Sequence, residues 1–79
     1  MADKWDKPID ETFSYNVTQL RKKNNLSKRK MAAIMGIGVN MLDRIEAGEL
    51  PRRLKASAIL NLSNYFQVST DEILRSKLP

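Results

Sequence analysis

The sequence predicts an all-α domain of five short helices. Apolar residues recur every three or four positions along most of the chain, the period of one helix face. No stretch alternates apolar with polar as a half-buried strand does. The three Gly and three Pro fall as punctuation, and no linker, repeat or low-complexity tract interrupts the pattern.

Each helix has its own local reason. The first is expected over about 8–24. Pro8 suits the first helical position, where its missing N–H would have no partner. Ile9, Phe13, Val17 and Leu20 then share a face, and Arg21, Lys22 and Lys23 crowd the last turn, where cations suit the helix dipole. The second, about 28–35, follows Ser27, whose hydroxyl can cap an orphan N–H, and stops near Gly36. The third, about 39–47, ends at Gly48, a residue that tolerates a left-handed cap. The fourth is expected over about 53–66, with Leu54, Ala58, Leu62, Tyr65 and Phe66 on its inner side. The fifth, about 70–75, opens on Ser69-Thr70-Asp71-Glu72, which reads as a capping box. Residues 1–7 read as a flexible segment and 76–79 as a tail that frays.

Composition narrows the function. A chain of 79 residues is one domain with a modest core. It holds no Cys and no His, which excludes disulfides, thiolate or imidazole catalysis and the common zinc frameworks. No catalytic residue, cofactor or metal is therefore expected, and no enzyme. No paired carboxylates suggest a cleft, and Gly36-Ile37-Gly38 is too short, and wrongly placed between helices, to cradle a phosphate as a Gly-rich loop does. The charged N-terminus and the lack of a long apolar run suggest neither a signal peptide nor a membrane span, and hence a cytoplasmic protein. Asn16-Val17-Thr18 and Asn61-Leu62-Ser63 read as chance sequons. The Met residues at 31, 35 and 41 read as core filler.

The net charge of +5 is unevenly spread. Residues 1–19 carry −2, residues 20–55 carry +7 and residues 56–79 carry 0. A cationic zone of this kind calls for a polyanion or is a solvated face.

Leu26 to Gly48 holds the centre of that zone. Two helices of about two turns, joined by a Gly-containing turn, have the build of a helix-turn-helix. On the third helix, at about 100° per residue, Val39, Asn40, Asp43 and Arg44 fall on one side, and Met41, Leu42 and Ile45 on the other. One face is thus free to enter a major groove while the other is anchored. Any amphipathic surface helix shows the same division, so the turn and the charges must support it.

These residues resemble a family. Leu20-Arg21, Leu26-Ser27, Met31-Ala32, Met35-Gly36-Ile37, Leu42, Ile45-Glu46, Gly48 and the ending Phe66 to Leu74 are similar to the lambda-repressor-like, or XRE (xenobiotic-response-element), helix-turn-helix domains of phage and bacterial regulators. The resemblance covers about residues 17–74 and implies a five-helix lambda-repressor-like fold. It implies a sequence-specific transcriptional regulator of repressor type that binds double-stranded DNA. Val39, Asn40, Asp43 and Arg44 would contact bases. Lys28, Arg29, Lys30, Gly38, Arg52, Arg53 and Lys55 would lie at phosphates. Arg21 and Glu46 match positions that form an ion pair between the first and third helices. By chemistry, Asn40 suits adenine, Arg44 guanine or a phosphate, Val39 a thymine methyl, and Asp43 cytosine.

Lys28, Arg29 and Lys30 add a separate argument. Cations at a helix N-terminus are mildly unfavourable, and a phosphate there reverses the sign. The family usually carries Gln where Lys28 stands, Glu near Arg29 or Lys30, and Ser or Thr where Gly38 stands. These departures shift affinity toward electrostatics. A homodimer on a palindromic operator is the expected assembly, with a monomeric accessory role beside it. The competing reading is a protein-interaction module on the same fold, an antitoxin or adaptor, favoured by the few polar groups at Gly38, Val39 and Met41.

Overall fold

The computed structural model describes residues 9–78. Among them five helices follow in order: α1 (Ile9–Lys23), α2 (Lys28–Met35), α3 (Val39–Glu46), α4 (Ala56–Phe66) and α5 (Thr70–Arg75). No strand occurs among the described residues. The segment 1–7 and Pro8 lie outside the described residues, as does Pro79.

Local chemistry sets the boundaries. Asn25 ends α1 in the left-handed region at φ 54°, and Leu26 N–H donates to Arg21 O. The Ser27 hydroxyl accepts from Lys30 N–H and starts α2. Gln67, at φ 58°, closes α4. Ser69 and Glu72 cap α5 reciprocally, each side chain accepting from the other residue's backbone N–H.

The fourth helix begins three residues later than the expected 53. Leu54 N–H donates to Pro51 O, so Pro51 to Leu54 form a turn that holds Arg53 outside the helix. Lys55 is extended at ψ 153° and serves as N-cap without a side-chain bond.

The core comprises Phe13, Val17, Met31, Ala32, Met35, Leu42, Ile45, Ala58, Leu62 and Ile73. Met31 and Met35 are fully buried filler, and Met41 is a partly buried residue packed against the core. Each large side chain so buried contributes about 1.5–3 kcal/mol. Helix α1 packs along α3 and α5, and α4 packs on α2 and α5.

Two faces differ from the sequence reading. Ile9 and Tyr65 are exposed, at 43% and 55%. The buried face of α1 is turned toward Asn16, which is wholly enclosed. The Asn16 amide donates to the carbonyls of Glu72, Ile73 and Ser76, and its oxygen accepts from Leu78 N–H. The carbonyls at the end of a helix lack intrahelical partners, and a buried polar group must be hydrogen-bonded. One Asn meets both needs. Within the segment 76–79, expected to fray, Asn16 ties Ser76 and Leu78 to α1. An enclosed Asn16 has no room for a glycan.

Candidate nucleic-acid interface

The turn between α2 and α3 is set by Gly36. It adopts φ 77° and ψ 31°, and its N–H reaches back to Ala32 O and Ala33 O. Ile37 N–H also donates to Ala32 O, and its side chain packs on the core. Only a residue without a Cβ adopts this conformation at no cost. A Cβ on Gly36 would also stand 3.2 Å from the Asn61 amide nitrogen, which donates to Met35 O.

Gly38 is a different case. It is the N-cap of α3 with φ −82°, an ordinary extended value, and makes no side-chain bond. Nothing lies within 4 Å of a Cβ placed there. The backbone does not require glycine at this position.

Helix α3 is anchored on its inner side. Leu42 and Ile45 are completely buried. Glu46 accepts two hydrogen bonds from Arg21, Nε to Oε2 at 2.7 Å and Nη2 to Oε1 at 3.0 Å. Arg21 also donates from Nη1 to Leu26 O. A planar fork on a carboxylate fixes orientation as well as distance. The hydrogen bonds to Glu46 raise the Arg21 pKa above its usual value, against the opposing effect of burial.

Asn40, Asp43 and Arg44 lie exposed on the outer side of α3, with Val39 half-buried beside them. The cations are arranged around this face. Lys28 Nζ, at the start of α2, lies 2.7 Å from Asp43 Oδ1. Arg44 Nε lies 3.0 Å from Glu49 Oε1. Arg44, Glu49, Arg52 and Arg53 line one groove at the C-terminal end of α3. Gly38, Met41, Arg53 and Lys55 line another at its N-terminal end. Arg29 and Lys30 are exposed on α2, and no hydrogen bond or ion pair joins them to α3.

Sequence reasoning missed Glu49, Asn16 and Asn61. A carboxylate just beyond the third helix, five residues from Arg44, was the available signal for Glu49. The two Asn residues act through contacts distant in sequence and leave no local pattern.

Among the described residues no three His, Cys, Asp or Glu side chains gather to hold a metal. No helix among them is long and apolar enough to cross a membrane. No curated protein and no solved structure gives a significant match to the chain. The helix-turn-helix family model does match, over residues 17–73, from the middle of α1 into α5. With its all-helical fold and its exposed, cation-flanked third helix, the chain belongs to the lambda-repressor-like, XRE-type helix-turn-helix family of DNA-binding regulators.

Proposed function

We propose that the protein is a sequence-specific transcriptional regulator of repressor type, with α3 lying in the major groove of double-stranded DNA. Val39, Asn40, Asp43 and Arg44 meet base edges. Lys28, Arg29, Lys30, Arg52, Arg53 and Lys55 meet phosphates, and Gly38 brings its backbone close to one. The observation that carries this reading is the division of α3. Its inner side is locked by Leu42, Ile45 and the Arg21–Glu46 fork, and its outer side is open with cations at both ends. A reading helix needs both, because base contacts discriminate only if the helix cannot shift.

The interaction-module reading finds less support. Val39 and Met41 pack partly against the core, which leaves little apolar surface on α3 for a protein partner. Self-association has a separate basis in α4, which carries no charged residue and exposes Leu60 and Tyr65. A contact there would place no charged side chain of α4 against its partner copy. A pair of copies would span half-sites about 34–36 Å apart.

Selection of bound sequences from random duplex DNA tests the reading, repeated with Asn40→Ala and Arg44→Ala. The wild type should enrich a motif, and at least one variant should relax a position within it. Affinity should fall about 1,000-fold between 50 and 200 mM salt if about six phosphates are neutralised. Weak binding that ignores sequence would overturn sequence-specific regulation.

A further inference from the structure

Glu49 belongs to no set of DNA-facing residues named above, yet the chain closes it onto Arg44 twice. Gly48, at φ 103°, turns the backbone so that Glu49 N–H donates to Arg44 O at 3.0 Å. The Glu49 side chain then returns to the same residue and accepts from Arg44 Nε, also at 3.0 Å. The guanidinium is gripped from the side. Its two terminal amino groups have no hydrogen-bond partner among the described residues.

We propose that Glu49 is a positioning residue that presents the terminal edge of Arg44 to a guanine. This inference rests on the reading of α3 as a base-reading helix. The terminal edge of a guanidinium offers two parallel donors, matching the two acceptors, O6 and N7, that guanine shows in the major groove. A free arginine side chain has many rotamers and loses them on binding. An arginine already held by one Nε–H bond loses fewer, and its fork points one way. Glu49 has a second effect. It is the carboxylate in a groove with Arg44, Arg52 and Arg53, and it repels phosphate from the side of Arg44. Arg44 is thereby directed away from the DNA backbone and toward a base edge. Both side chains are more than half exposed, at 61% and 55%, so their pairing adds little to folding. Its value lies in selectivity.

The test compares wild type, Glu49→Gln, Glu49→Ala, Arg44→Ala and the double variant Arg44→Ala with Glu49→Ala. Each is measured on the selected duplex, on duplexes substituted at each motif position and on an unrelated duplex. Glu49→Ala should flatten preference at the same position that Arg44→Ala flattens, where a bidentate pair gives about 5- to 150-fold discrimination. Glu49→Ala should also bind the unrelated duplex about two- to fivefold more tightly, since one repulsive charge is gone. Glu49→Gln keeps an acceptor for Nε–H and should retain most of the preference. In the Arg44→Ala background, loss of Glu49 should change nothing at that position. A Glu49→Ala protein that binds every duplex more tightly, with the motif unchanged, overturns the positioning role and leaves the base-reading helix standing. A wild type that enriches no motif overturns both.

Discussion

Lys28 reaches across the helix-turn-helix to Asp43, Nζ to Oδ1 at 2.7 Å, and so joins the first turn of α2 to the outer face of α3. The contact makes one surface of the basic run and the outer face of α3. It also neutralises a carboxylate on that face, which alone would repel any polyanion brought against it.

Lys28→Ala removes a cation and releases that carboxylate, whereas Arg29→Ala removes a cation alone. Lys28→Ala should therefore weaken binding to any duplex more than Arg29→Ala, by about threefold or more at low salt, where exposed charges are least screened. The ion pair is half exposed on both sides, so stability should change by no more than about 1 kcal/mol. Fluorescence anisotropy and urea unfolding of both variants check this. Equal losses of affinity would refute a role for the released Asp43.

Loss of either member of the Arg21–Glu46 pair should be felt in folding. The side chains are only 16% and 10% exposed, and removing one strands the other. Glu46→Ala should cost about 3 kcal/mol, the low end of the range for buried pairs, and lower the melting temperature by roughly 12–24 °C. The raised Arg21 pKa stabilises the fold wherever the Glu46 carboxylate is charged, neutral pH included, and on the alkaline side that stabilisation is lost only above the raised pKa, in strong alkali. The effect of Glu46→Ala should thus be the same on either side of neutrality, as thermal melts at several pH values would show.

Asn16→Ala leaves the carbonyls of Ile73 and Ser76 and the N–H of Leu78 without their partner. Stability should fall by about 2–3 kcal/mol, and Leu78 N–H should exchange freely with solvent. DNA affinity, measured well below the melting point, should hold, because Asn16 bonds to Glu72, Ile73, Ser76 and Leu78 and to none of the residues proposed to meet DNA. Continued protection of Leu78 N–H would show that another group secures this end of the chain.

The two glycines that flank Ile37 should answer oppositely to substitution. Gly36→Ala forces a Cβ into a left-handed backbone and against Asn61, at a cost of about 1–2 kcal/mol. Gly38→Ser meets open space and adds a cap to α3, for a gain of about 0.5 kcal/mol. Paired denaturation curves decide the matter, and a destabilised Gly38→Ser would mean that the serine does not cap.

Much of the site was legible because its signals are local. The capping residues Ser27 and Ser69, the Gly36 turn and the period that buries Leu42 and Ile45 act over one or two turns of chain. The position of Arg53 was not legible, because the turn from Pro51 to Leu54 competes with a helical pattern that Leu54 also fits. Leu54 is anchored by its contact with the core, which no local rule supplies.

The all-helical fold, the helix-turn-helix and the concentration of cations between residues 20 and 55 are legible along the chain, since helical period, caps and charge are properties of neighbouring residues. What two of those cations pair with, and what closes the end of the chain, is set by packing alone. Lys28 meets Asp43, Arg44 meets Glu49, and Asn16 gathers the end of α5, because packing brings together groups whose separation along the chain carries no signature.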